Sequence, residues 1–218
     1  MNTLNSVFDK ILCINRKSRR DRRESVVRQC EQFGIKLDWF EAHEADNCLV
    51  GGKPNGNFGC TASHRGCLEL QCFHRWKTML VLEDDFQIVH DDFVSMFDSM
   101  WPDIPEDWDF VFLGAGYAED PIARVNDSVI RAGRLLTTSS YAITCAMARK
   151  IAPHIYGSSA IDSLYFGWQR EAKTYVFSPR LMVQADGVSD LTGQFSRNSN
   201  SMLDTAHENR LDGTHLER

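Results

Sequence analysis

A chain of 218 residues with 43% hydrophobic and 25% charged residues can bury a full core within one α/β domain, and its composition excludes a disordered or fibrous protein. A net charge of −6 argues against general attraction to nucleic acid or anionic lipid, so an anionic ligand would need a local basic patch or a bound cation. No apolar run approaches the ~18 residues that span a bilayer, and Met1 to Asn15 lacks the basic-then-apolar pattern of a signal peptide. The seven cysteines are odd in number and form no CxxC pair, which favours reduced thiols in a cytoplasmic setting over a disulfide framework or a structural zinc site.

In chain order, Phe8 to Asn15 reads as a buried first strand. A helix capped by Ser18 is expected to run to Phe33, with Gly34 as its stop. Ile35, Leu37 and Trp39 alternate as a second strand, and residues 51–57 form a glycine-rich loop. Thr61 or Ser63 is expected to cap the next helix, which carries Cys67, Leu68, Gln71, Cys72 and Trp76. Met79–Leu82 is a short, wholly apolar strand. Phe93, Phe97, Met100 and Trp101 make a helical stripe closed by Pro102, and Trp108–Leu113 is a further strand before the Gly114–Gly116 turn. A strand at Tyr141–Thr144, a helix to about His154, a helix from Asp162 and a strand at Tyr175–Phe177 follow. The alternation predicts one α/β domain over residues 1–190, with a mainly parallel sheet covered by helices on both faces. Residues 191–218 are polar and read as a tail or lid.

The sharpest chemical signal is Leu80-Val-Leu-Glu-Asp-Asp85. A buried strand leads directly into three acids, at the carboxyl edge where open α/β sheets bind ligands. Adjacent carboxylates repel unless a hard cation, Mn²⁺ or Mg²⁺, neutralises them. Strand parity puts Glu83 and Asp85 on one face, so a metal would take both, or Asp85 with water. No third protein ligand is identified, although His207 or His215 could fold back to serve. Gly59-Cys-Thr-Ala-Ser-His64 is read as a loop entering a helix, whose free N–H groups suit phosphate, with Ser63 and His64 in the first turn. Six of the eight residues Arg16–Arg23 are basic; most are read as a solvated helix face, with Arg22 toward a diphosphate.

Asn15 with Asp21-Arg22, then Gly59-Cys60-x-x-Ser63-His64, then Leu82-Glu83-Asp84-Asp85, occur in the order and spacing of glycosyltransferase family 25. Thr137–Ile143, Ile161-Asp162 and Ser189-Asp190 are similar to later blocks of that family, so the resemblance covers roughly residues 8–190. Arg16 stands where the family carries an aliphatic residue. The resemblance implies a GT-A-like fold and an inverting, Mn²⁺-dependent transfer from a UDP-sugar, galactose first, to a saccharide or glycan hydroxyl. It implies donor contacts at Asn15, Arg22, Gly59, Ser63, His64 and Asp84, and metal ligation at Glu83 and Asp85. A lipopolysaccharide-type acceptor would place the protein peripherally at a membrane, without a transmembrane segment.

Attack by an acceptor hydroxyl needs a carboxylate base within hydrogen-bond reach, and Asp162 is the candidate, with a helix N-cap as the plain alternative. Competing expectations are a metal-dependent hydrolase or nucleotidyltransferase, a non-catalytic sugar-nucleotide-binding protein and, more distantly, a nucleic-acid-binding module.

Overall fold

The computed structural model describes residues 3–44, 49–50, 53–116, 118–190 and 194–197. In chain order these form α1 (Leu4–Val7), β1 (Lys10–Asn15), α2 (Arg20–Phe33), β2 (Asp38–Glu41), β3 (Leu49–Val50), β4 (Lys53–Pro54), α3 (Gly56–His74), β5 (Thr78–Glu83), β6 (Phe86–Ile88) and α4 (Phe93–Met100). They continue as β7 (Phe110–Phe112), β8 (Ala118–Asn126), β9 (Val129–Leu135), β10 (Ser140–Thr144), α5 (Cys145–Ile151), α6 (Ile161–Gln169), β11 (Thr174–Phe177), β12 (Met182–Gln184), β13 (Gly187–Val188) and β14 (Phe195–Ser196).

The main sheet has eight strands in the order β2-β1-β5-β10-β7-β11-β9-β8. Only β10 and β9 run against the other six, so the sheet is mainly parallel in direction, although these two strands make the pairings mixed. Side-chain alternation splits the core cleanly into two layers. Leu12, Ile14, Met79, Val81, Phe110, Phe112, Tyr141 and Ile143 pack against α3, α5 and α6. Ile11, Cys13, Leu80, Leu82, Val111 and Phe177 pack on the other face against α2 and α4. Strands buried on both faces need apolar residues at every position, which is why Met79–Leu82 shows no polar alternation. Each large side chain so buried contributes roughly 1.5–3 kcal/mol.

Several sequence expectations shift. The helix after β1, α2, starts at Arg20, not after a Ser18 cap: Arg19 occupies the cap position without a side-chain bond, while Gly34 ends the helix at φ 65° as expected. The second strand is Asp38–Glu41, three residues beyond Ile35. The third helix begins at Gly56, because Asn55 Oδ1 accepts from Phe58 N at 2.8 Å and caps it; neither Thr61 nor Ser63 does. The β8–β9 hairpin was not expected. Its turn is set by Asn126, whose Oδ1 accepts from Ser128 N at 2.9 Å, a local bond that strand periodicity does not report. The expected boundary at residue 190 is crossed by a small hairpin, since Phe195–Ser196 pairs with Gly187–Val188. His207 and His215 lie outside the described residues.

Candidate functional site

The antiparallel insertion of β10 builds the site. Ser140 pairs with Leu82, so the amino end of β10 lies beside the carboxyl end of β5, at the edge where β1 and β2 also finish. A cavity of about 700 Å³ opens there, within the range of small-molecule sites. Residues following β1 and β2, the first turns of α2, α3 and α6, the acids after β5, Thr137–Thr138 and the strap Gln184–Asp190 all line it.

Glu83 ends its strand in a network. Its Oε1 accepts from Thr138 Oγ1 at 2.6 Å and lies 3.3 Å from His64 Nε2, a close electrostatic contact without hydrogen-bond alignment. Behind it, His64 Nδ1 is 2.9 Å from the Tyr141 hydroxyl, which is 3.0 Å from the Tyr165 hydroxyl. His64, Tyr141 and Tyr165 are all buried. Burial pushes the Glu83 carboxyl up, but His64, Thr138 and Arg22 outweigh it and hold the group below its usual range.

Strand parity does not extend past Glu83, because Asp84 and Asp85 form a turn. Arg22 Nη1 donates to Asp84 Oδ1 at 2.9 Å and to Asp85 Oδ2 at 3.0 Å, tying the two acids to one guanidinium. Asn15 Nδ2 donates to Asp84 Oδ2 at 2.8 Å. Asp85 Oδ2 also accepts from Gln184 Nε2 at 3.1 Å, whereas Asp85 Oδ1 is buried with no hydrogen-bond partner among the described residues. Burial, with Glu83 beside it, raises the Asp85 carboxyl to about 7.

The other expected residues divide. Arg22, Ser63, His64, Asp84 and Asp162 line the cavity together with Glu83 and Asp85, while Asn15 and Gly59 do not. Asn15 is buried and holds Asp84 from behind. Because α3 starts at Gly56, Ser63 and His64 sit in its third turn and cannot present first-turn N–H groups; Gly56 and Asn57 occupy that position at the cavity. Ser63 Oγ donates to Gly59 O at 2.7 Å and accepts from His43 N at 2.9 Å. Asp162 is the second residue of α6, whose cap position is Ala160, so it is not the N-cap. Its Oδ1 accepts from Ser163 N at 2.7 Å, leaving Oδ2 without a partner among the described residues.

Gln184, Asp186, Arg16, Arg19 and Cys60 are among the contributors not anticipated. Arg16 and Arg19 face the cavity with Arg22, and both pair with Asp190, at 3.5 and 2.7 Å. Cys60 also lines it, and burial, followed by Glu83, Asp162 and Asp85, pushes its thiol well up. Arg16 and Arg19 precede α2, so helical spacing gave no signal for them.

Whether the acids suit a divalent cation turns on the donor set. Among the described residues no group of three or more His, Cys, Asp and Glu side chains converges as a complete protein cage. The orphaned, buried Asp85 Oδ1 does fit the sparser arrangement of one or two carboxylates completed by substrate phosphates and water. No helix among the described residues is long and apolar enough to cross a membrane.

No protein-family model and no curated protein sequence matches the chain. Among solved structures, A197 from STIV is similar at a TM-score of 0.47 and 12% identity, covering 85% of this chain and 92% of that one. An apo-UDP-glucose pyrophosphorylase is similar at 0.45 and 8%, covering 77% and 72%. A glycosyltransferase involved in glycosylation of the major capsid of PBCV-1 is similar at 0.38 and 10%, covering 77% and 94%. These overlays are remote, and the chemistry of the cavity is what bears on function.

Proposed function

We propose that this chain is a glycosyltransferase of GT-A-like fold that moves a sugar from a nucleoside diphosphate to a hydroxyl acceptor, with a divalent cation at the Glu83–Asp85 acids. The composition of the cavity carries this reading. Seven carboxyl side chains (Asp21, Glu83, Asp84, Asp85, Asp162, Asp186 and Asp190) face three guanidiniums, Arg16, Arg19 and Arg22. A diphosphate entering that acidic surplus is repelled unless a cation enters with it, whereas the many polar groups suit sugar hydroxyls. The sequence blocks resembling family 25 support UDP-galactose as donor, Mn²⁺ over Mg²⁺, inversion of configuration and a saccharide or glycan acceptor. Free thiols suit a cytoplasmic enzyme, and a lipid-linked acceptor would be met at a membrane surface.

In this mechanism Asp85 and Glu83 would hold the cation, which when bound would supply charge neutralisation for the departing diphosphate. Asn15 and Arg22 fix the turn that presents those acids. Arg16 and Arg19 bind diphosphate oxygens in exchange for Asp190. The acceptor hydroxyl attacks the anomeric carbon, its proton passes to Asp162 Oδ2, and the bond from that carbon to the phosphate oxygen breaks. His64 acts from behind Glu83, holding its charge and orientation, and not on the donor itself.

Incubation with UDP-galactose, Mn²⁺ and a panel of saccharide acceptors tests the reading. Sugar transfer is the expected result. Free galactose alone would identify a hydrolase, binding without turnover a sugar-nucleotide-binding protein, and no binding at all would overturn the proposal.

A further inference from the structure

Among the described residues, two non-glycine residues have positive φ: Arg75 at 59° and Thr137 at 76°. Arg75 has a local reason, since it is the left-handed C-cap of α3, donating its N–H to Gln71 O. Thr137 caps nothing. A β-branched residue is poorly suited to this conformation, because its Cβ substituents crowd the backbone.

The surroundings hold it there from both sides. Before it, Leu135 N donates to Gln169 Oε1 at 2.7 Å and Leu136 O accepts from Gly116 N at 3.1 Å. After it, Thr138 Oγ1 is fixed on Glu83 at 2.6 Å, and Ser139 O accepts from Glu83 N at 2.9 Å. The backbone between these anchors is one residue long, and that residue lies on the cavity wall. Glycine would make the same turn without strain. The threonine hydroxyl meanwhile has no hydrogen-bond partner among the described residues. Strain kept at a cavity wall points to a ligand contact.

Resting on the glycosyltransferase reading above, we infer that Thr137 is a specificity-determining residue whose hydroxyl bonds a hydroxyl of the transferred sugar. It lies beside the Thr138–Glu83 pair, next to the acids proposed to meet the diphosphate, on the wall of the same cavity.

The test compares UDP with UDP-galactose, each with Mn²⁺, by calorimetry on wild type, Thr137→Gly, Thr137→Val and Thr137→Ser. In the Gly and Val variants UDP affinity stays within about twofold of wild type while UDP-galactose affinity falls about tenfold, the effect of one lost hydrogen bond. Thr137→Ser keeps both affinities. Thr137→Gly also melts no lower than wild type, because it relieves the backbone, which separates a ligand role from a folding role. An unchanged ratio of the two affinities in Thr137→Gly overturns the inference and leaves the enzyme reading standing. Failure of wild type to bind either compound overturns both.

Discussion

The imidazole of His64 joins Glu83 to the core: Nε2 lies 3.3 Å from Glu83 Oε1, and Nδ1 lies 2.9 Å from the Tyr141 hydroxyl. Removing the ring takes one of two partners from the buried Tyr141 hydroxyl and a close polar neighbour from the Glu83 carboxylate. His64→Ala is expected to cost about 1–3 kcal/mol beyond the packing loss, whereas Tyr165→Phe, at the far end of the chain, costs less. Denaturant unfolding of the single and double variants measures the coupling. Equal, additive losses would mean the groups do not act as a network.

Asp85→Asn tests the cation site. The amide keeps the shape but loses the charge a hard cation needs. Activity at ordinary Mn²⁺ is expected to vanish while the melting temperature holds or rises. Wild-type rates across a Mn²⁺ titration would remove Asp85 from the site.

The same group predicts a pH trend. The Asp85 carboxyl is raised from 3.8 to about 7 in the fold, so between those values the native state holds a proton that the unfolded chain has released. Stability from this group is full below about 4 and is lost as pH rises through about 7. Glu83, held low, acts in the opposite sense, contributing stability that is lost only at acid pH. Melting in chelator from pH 5 to 8 should decline in wild type and flatten in Asp85→Asn. Parallel curves would assign the trend to other groups.

Asp162→Asn separates a base from a structural acid. Asparagine can still accept from Ser163 N, so the fold is spared, but it cannot take a proton. kcat is expected to fall about 10²–10⁴-fold with donor binding little changed. Normal kcat would transfer the role to Asp186 or Asp190, which also line the cavity.

The arginines divide by position. Arg16→Ala and Arg19→Ala should raise the KM for the donor several-fold, as both groups face the cavity. Arg23 lies over the Trp39 ring at 3.9 Å, and Arg20 does not line the cavity, so replacing both should leave KM unchanged. Removing Arg22 should also lower kcat, since it holds Asp84 and Asp85 as well. Salt-sensitive binding of DNA or RNA that weakens with each lost cation would favour a nucleic-acid partner instead.

Local chemistry explains what could be read without coordinates. Met79–Leu82 is apolar at every position because both its faces are covered, Gly34 ends α2 because glycine accepts φ 65°, and the acids after β5 follow from where that strand stops. These depend on neighbours a few residues away. The roles of the site's side chains do not. Arg22 meets Asp84 across 62 positions and Arg19 meets Asp190 across 171, and which arginine turns inward is decided by how α2 lies against β5 and the strap after β12. The Asn55 cap displaced Ser63 and His64 from the first turn, and the β8–β9 hairpin was hidden in a side-chain bond at Asn126. Thr137 is the sharpest case: no propensity places threonine at positive φ, and only the competing anchors on Leu135, Leu136 and Thr138 force it there.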